Sequence, residues 1–519
     1  MVDQSPHPQY RNEDDCQAPS PSRLASAARG HPMTASVGRK AGAGFAWTSG
    51  ARLFGRIVDT IVLLVLARVL DPTAFGLVAL ATSLLAIVQL FQDLGLMQAA
   101  IQRKEVTSGE LSSLFWGVSS IGLILSLGMF AASPAFGALF QNQALVGVVA
   151  AMSPILFLQA LILVPTAVFQ REMKFKPMAT RRAIGAIAGG IVGVTLALLG
   201  AGAFAMVGRV LIDNVLGVIL LWAASPFRPK WFFSFASLWI FLRFGLPVAG
   251  ARALETLQTR SDDLLIGRFL GAASLGLYSV AYQAFRILTE LLLGASNQVL
   301  SAAFARLQGD HERLRRAYYR SIRATSLVAI PGFVGIAAVG YPFVEVLFGP
   351  QWTAAVPVLQ MLAVLGVIQS VRYYDAALLI AMGRPKVGLS IRLITVPITI
   401  AGYVYALQFE DLVVFALVQV IVALFISTPI WLVVLYRVAG VKPLLILRAS
   451  YVALTGGAVM FAVVWLLERA VADWPNVLQL AVCVPAGAAV YLGVLWILDR
   501  GAITHIFGVI RERRRRGKG

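Results

Sequence analysis

Apolar runs long enough to cross a membrane alternate with short polar interruptions along most of the chain. They fall near residues 44–69, 74–99, 111–132, 144–168, 183–200, 203–224, 239–266, 272–303, 322–340, 353–380, 387–407, 412–436, 444–467 and 476–498. A helix rising 1.5 Å per residue needs about 20 residues to cross a hydrocarbon core of roughly 30 Å. The pattern therefore predicts about 14 transmembrane helices. Lipid offers the backbone no hydrogen bonds, so such runs adopt helix. The expected fold class is an all-α polytopic membrane protein. The fifth run carries Gly185, Gly189 and Gly193, a ladder of small residues that lets a neighbouring helix come close.

Both ends depart from this pattern. Residues 1–43 are rich in Ser, Pro, Gln, Arg and Ala and hold no apolar run. They read as a disordered cytoplasmic tail rather than a cleaved signal peptide. Residues 500–519 close on RERRRRGKG from Arg511, a basic cytoplasmic tail suited to anionic lipid headgroups.

Sliding the first run forward by 200 residues aligns Gly50-Ala51-Arg52 with Gly250-Ala251-Arg252, and RVLDPTAFGL from Arg68 with RFLGAASLGL from Arg268. A register kept without a gap across both motifs points to duplication. Two pseudo-symmetric six-helix lobes are expected, 44–224 (spans 1–6) and 232–437 (spans 7–12), plus two C-terminal helices, spans 13 and 14, within 438–499. An even number of helices separates the copies, so both run the same way. A substrate site is then expected between them.

Composition agrees with this class: 58% of residues are hydrophobic and 13% charged, against about 25% charged in a soluble domain. Net charge is +19, but it is spread over loops and tails, which argues against a nucleic-acid partner. Alternate connections carry Arg103 and Lys104; Arg171, Lys174, Lys176, Arg181 and Arg182; Arg228 and Lys230; Arg306, Arg313, Arg315, Arg316, Arg320 and Arg323; Arg384 and Lys386; and Arg437, Lys442 and Arg448. The opposite connections hold Arg68, Arg268 and Arg469. Basic residues accumulate on the cytoplasmic side, which puts both termini there. Cys16 and Cys483 are too few for a disulfide framework, and His7, His31, His311 and His505 lie in tails or loops. No metal and no cofactor is expected.

Charges within the apolar runs are the candidate chemistry, since one at the bilayer centre costs about 2.5–3.5 kcal/mol and usually serves a purpose. Arg52, Arg56 and Asp59 share a face of the first helix, by spacings of four and three. Arg252, Glu255, Thr259 and Asp262 repeat the theme in the seventh span, while Arg260 and Asp263 point elsewhere. The eighth stacks Tyr282, Arg286 and Glu290; the second offers Gln89 and Asp93, the sixth Arg209 and Asp213, and the tenth Arg372, Tyr373 and Asp375. Closed intrahelical ion pairs account most simply for Arg209–Asp213 and Arg286–Glu290. Arg52, Arg56 and Arg252 sit at equivalent places in the two repeats and are expected on facing walls of one cleft. There they either pair with carboxylates of other helices or bind an anionic substrate, which guanidinium grips with two parallel donors. Gln89, Tyr282 and Tyr373 suit a polar cleft. Asp59, Asp93, Glu255, Asp262, Arg286, Arg372 and Asp375 are further candidates for a polar cavity or ion coupling.

The chain has no G-x-x-x-x-G-K-[ST] phosphate loop and no H-E-x-x-H motif. Catalytic residues are not expected. Alternating access between two repeats is the natural mechanism.

The segment RVLDPTAFGLVALATSLLAIVQLFQDLGLMQAAIQRKE, Arg68 to Glu105, resembles the start of bacterial polysaccharide flippases of the Wzx type, in the multidrug/oligosaccharidyl-lipid/polysaccharide exporter superfamily. Leu70, Pro72, Phe75 and Gly76 in the first turn, and Asp93 to Leu96 at the end, carry the likeness; the C-terminal third matches in hydropathy alone. The resemblance implies transfer of undecaprenyl-diphosphate-linked oligosaccharide units across the bacterial inner membrane, for lipopolysaccharide or exopolysaccharide biosynthesis. It also implies a cationic central cavity for the diphosphate, in agreement with Arg52, Arg56 and Arg252. The implied partners are the lipid-linked oligosaccharide, membrane lipids, and a polysaccharide polymerase and glycosyltransferases. Two alternatives remain open. One is a flippase for lipid-linked peptidoglycan precursors. The other is a cation-coupled drug antiporter, for which Asp59, Glu255, Asp262 and Asp375 would supply negative charge.

Overall fold

The computed structural model describes residues 54–103, 106–294, 300 and 303–499. Both expected tails and Arg52 lie outside the described residues. In chain order the long helices are α1 (54–69), α2 (Pro72–Asp93), α3 (Ser108–Ala131), α4 (Gln143–Arg171), α5 (Phe175–Leu198), α6 (Ala203–Ala224) and α7 (Phe235–Phe269). They continue with α8 (Gly271–Thr289), α9 (His311–Ala338), α10 (Pro350–Ala381), α11 (Pro385–Phe409), α12 (Leu412–Ala439), α13 (Pro443–Ala470) and α14 (Asn476–Leu498). No strand occurs among the described residues, and eleven of these helices are long and apolar enough to cross a membrane. The other three are α1, whose described part is short, α7, which carries much of the polar cavity lining, and α8.

Local sequence explains several boundaries that hydropathy blurs. The Asp71 carboxylate caps α2 by accepting from the Ala74 N–H, and Pro72 opens its first turn. The run expected at 74–99 is not one helix. It breaks at Leu94 and Gly95, both in the left-handed region, and a short helix, Leu96–Gln102, follows. Thr107 and Glu110 form a reciprocal capping box at the start of α3. The helix expected at 322–340 begins eleven residues earlier, at His311, because its first turns are basic and hydropathy does not register a helix that projects beyond the apolar zone. The run expected at 272–303 leaves regular α-helix after Thr289 and becomes a π-helical turn, Glu290–Gly294.

Within the first six helices α5 packs along α6, and α3 along α4; further on α9 packs on α10 and α13. The glycine ladder of α5 faces α6, where Cβ atoms on Gly185 and Gly189 would strike Asp213 and the backbone of Arg209. The principal crossing between the first six helices and α7–α12 is α2 on α8. Leu66, Leu80, Tyr278, Phe333 and Trp352 are buried in one continuous core, whereas Ile191, Leu466 and Ile497 are exposed on outer faces. Apolar surface turned outward is what a lipid solvent selects.

At the Asp71 end the end of α1 and the start of α2 are fastened to the chain around the start of α10. The Trp352 Nε1–H donates to the Ala67 carbonyl at 2.7 Å, and the Gln351 amide donates to the same oxygen at 2.8 Å. The Arg68 guanidinium donates to the Val346 carbonyl, and the Phe75 ring meets Trp352 edge-on at 5.0 Å. At the Asp93 end Gly95 and Gly245 touch backbone to backbone: a Cβ on Gly95 would lie 2.3 Å from the Gly245 carbonyl oxygen.

Candidate functional site

Several charged residues of α1, α2, α7 and the turn after α8 are joined by ion pairs that link different helices. Arg56 on α1 binds Glu290, just beyond α8, at 2.8 Å, and both side chains are about half exposed. Arg252 on α7 binds Asp93 on α2 at 2.6 Å. Each pair ties an arginine on one side of the α2–α8 crossing to a carboxylate on the other. Asp93 also accepts from the Met97 N–H at 3.1 Å, so the carboxylate is held by the break that ends α2.

Two expectations are therefore corrected. Arg209 does not pair with Asp213 but reaches Asp59 on α1 at 2.6 Å, while Asp213 pairs with Arg181 at 3.4 Å. The glycine ladder lets α6 lie so close to α5 that Arg209 extends past it to α1. Arg286 does not pair with Glu290 but donates to Gln283 at 2.8 Å, because Glu290 is engaged by Arg56. Arg260 and Asp263 were expected to point elsewhere, but Arg260 lines the second of the cavities described below; the two pair with each other at 3.2 Å, and the Ser83 hydroxyl of α2 donates to Asp263 at 2.6 Å.

Two cavities flank α7. The first, about 430 Å³, lies among α7, α8, α10, α11 and α12; among the expected residues it gathers Glu255, Asp262, Tyr282, Arg372, Tyr373 and Asp375. The second, about 480 Å³, lies among α2, α4 and α7 and gathers Gln89, Asp93, Arg252 and Glu255. Glu255 and Thr259 belong to both walls, so the spaces adjoin. Arg56, Asp59 and Arg286 line neither.

Much of the charge in the first cavity is already satisfied. Asp262 accepts from the Tyr278 hydroxyl at 2.7 Å, and Asp375 from the Tyr318 hydroxyl at 2.6 Å. Arg372 reaches Asp375 at 3.4 Å and the Thr428 hydroxyl at 2.9 Å, with its guanidinium 5.6 Å from the centre of the Trp431 ring. Among the described residues Glu255 and Arg392 are the charged members of this lining without a partner. The described lining is thus mixed in charge rather than cationic. Arg392 was not among the expected site residues, although a lone arginine in an apolar run is itself a signal. Gln92 and Gln159 of the second cavity were also missed; Gln159 accepts from the Gln89 amide at 2.9 Å. A neutral amide stands out little in a sequence, and only packing shows which ones converge. Nothing in either lining groups three or more metal-binding side chains among the described residues.

The profile of a family described as polysaccharide biosynthesis protein matches residues 65–357, more than half of the chain. The chain belongs to that family. As a member of the polysaccharide biosynthesis family it is 28% identical over 356 residues to the lipopolysaccharide biosynthesis protein WzxC of Escherichia coli (strain K12), covering 67% of this chain and 71% of that protein. It is 29% identical over 299 residues to the succinoglycan biosynthesis transport protein ExoT of Rhizobium meliloti (strain 1021), covering 58% of this chain and 60% of that one. Among solved structures, the lipid II flippase MurJ in its inward closed conformation is similar in fold, with a TM-score of 0.70 and 17% identity over 88% of this chain and all of that one. This member of the polysaccharide biosynthesis family is a multi-pass membrane protein.

Proposed function

We propose that this protein is a flippase that moves undecaprenyl-diphosphate-linked oligosaccharide units across the bacterial inner membrane, for polysaccharide or lipopolysaccharide biosynthesis. It works by alternating access of two lobes, α1–α6 and α7–α12, and is not an enzyme. Both termini face the cytoplasm, so the Asp93 end is the cytoplasmic mouth and the Asp71 end is the periplasmic seal. Glycosyltransferases supply its substrate and a polymerase receives its product.

The observation that carries this reading is the exchange of charge across the lobe boundary. Arg56 binds Glu290, and Arg252 binds Asp93. Neither arginine is locked away: their side chains are 53% and 48% exposed. A diphosphate has more charge and more acceptor oxygens than one carboxylate, so it can displace Asp93 from Arg252 and, as the lobes shift, Glu290 from Arg56. Binding would then break the contacts between the lobes at the mouth, which is how a substrate with unequal affinity for two states shifts their balance. Arg52, outside the described residues, is proposed as a third member of the set.

The test uses proteoliposomes containing a fluorescent polyprenyl-diphosphate trisaccharide, with transfer to the outer leaflet read by an external quencher. Arg252→Ala should abolish transfer, and Arg252→Lys should retain part of it because the charge survives without the bidentate fork. If Arg252 were only a structural partner, its loss would strand Asp93. Restored transfer in the double variant Arg252→Ala/Asp93→Ala would therefore refute the binding role.

A further inference from the structure

Arg392 lies on α11, inside a helix apolar enough to cross the membrane, and faces the first cavity half-buried. Among the described residues no carboxylate or hydrogen-bond acceptor holds it. An unpaired guanidinium at such a place is costly unless water or a ligand satisfies it. Arg372 cannot take the same role, because Asp375, Thr428 and the Trp431 ring already fix it.

The remaining wall suits sugar. Tyr282 and Tyr373 present aromatic surface, and Gln258, Gln369 and Gln419 present amides. The C–H faces of a pyranose pack against the electron-rich faces of aromatic rings. Amides both donate to and accept from hydroxyls. Gln419 donates to the Tyr403 hydroxyl at 3.0 Å, while its own Oε1 has no donor. A volume of about 430 Å³ falls within the range of small-ligand sites, about 300–1,000 Å³.

We propose that the cavity around Arg392 is a glycan subsite that selects an oligosaccharide bearing a carboxylate, such as a uronic acid. The guanidinium takes the carboxylate through two parallel hydrogen bonds. The cavity adjoins the one that holds Arg252 along the wall at Glu255 and Thr259. Glu255, itself unpaired among the described residues, repels an anion at that wall and favours its placement at Arg392. The proposal names the substrate class of the transport reading above and rests on it.

The test uses the full chain in phosphatidylcholine nanodiscs. The probes are a uronic-acid-containing trisaccharide, the same trisaccharide with its carboxyl group reduced to an alcohol, and farnesyl diphosphate for the diphosphate site. Wild type should bind the acidic trisaccharide about tenfold more tightly than the neutral one. Arg392→Gln should erase that preference and Arg392→Lys should keep part of it, with farnesyl diphosphate binding unchanged in both. Arg252→Gln should do the reverse. Equal binding of the two trisaccharides by wild type overturns the subsite whatever the variants do, and so does a preference that survives Arg392→Gln. Displacement of the acidic trisaccharide by added phosphatidylglycerol would assign the cavity to a lipid headgroup and also overturn it. Wild type that shows the preference yet fails to bind farnesyl diphosphate would support the subsite and refute the diphosphate reading.

Discussion

Gly76 on α2 and Gly276 on α8 hold reciprocal places in one crossing. A Cβ on Gly76 would lie 1.7 Å from the Ala272 carbonyl oxygen, and a Cβ on Gly276 would lie 1.8 Å from the Pro72 carbonyl oxygen. Residues 72 and 272, like 76 and 276, are related by the 200-residue offset of the sequence repeat. Each helix thus meets the other at the equivalent point, as two copies related by a two-fold axis would. Gly76→Ala or Gly276→Ala must push the backbones apart, since the obstructing atom is a carbonyl and not a flexible side-chain end. Either change should cost about 1–3 kcal/mol of stability, as overpacking typically does, which is read as a lower thermal midpoint in detergent, and should reduce transport. A variant that keeps both wild-type values would show that the crossing is loose.

The Asp59–Arg209 pair lies among α1 and α6 and lines neither cavity, so a structural role is expected of it. Asp59→Ala should reduce the level of folded protein in the membrane. The cost should fall between the roughly 1 kcal/mol of an exposed pair and the about 3–5 of a buried one. Asp59→Ala/Arg209→Ala should recover much of that level. Recovery here alongside no recovery for Arg252→Ala/Asp93→Ala would separate a structural ion pair from a binding one.

Trp352 is fully buried and donates to the Ala67 carbonyl. Trp352→Phe keeps most of the ring and removes the donor. In a background with Cys16 and Cys483 replaced, Ala67→Cys should resist a membrane-impermeant maleimide applied from outside. Trp352→Phe should speed its labelling several-fold if opening of this seal is the limiting step. Rapid labelling without the tryptophan change would show that the Asp71 end is not closed in the resting protein.

The alternating basic loops make orientation testable by fusion. A reporter active only outside the cytoplasm should be active after Phe348 or Asp411 and silent after Arg316 or Lys386. Activity after Arg316 would reverse the assignment of the Asp93 end as the cytoplasmic mouth.

Helix content and the apolar outer faces were legible in the sequence because a lipid solvent leaves long apolar runs one way to satisfy their backbone. Helix breaks were not, as the Leu94–Gly95 turn shows: DLGL sits between two strongly apolar stretches, so the average along the run stays high, and the break depends on left-handed backbone at both residues. The intramembrane charges were legible as a set, since each is conspicuous in an apolar run. Their partners were not. Helical periodicity relates residues three and four apart on one helix, and so it paired Arg209 with Asp213 and Arg286 with Glu290. The actual partners come from helix approach: glycines at 185 and 189 bring α6 close enough for Arg209 to reach Asp59, and the packing of α1 beside the end of α8 gives Arg56 to Glu290. The sequence alone determined an all-helical membrane chain, an offset of 200 and a short list of charges within apolar runs, all properties of one chain read along its length. Only the tertiary structure decided which charges neutralise one another and which, like Arg392, face a cavity unpaired, because a side chain's electrostatic fate depends on what neighbouring helices bring within about 4 Å of it.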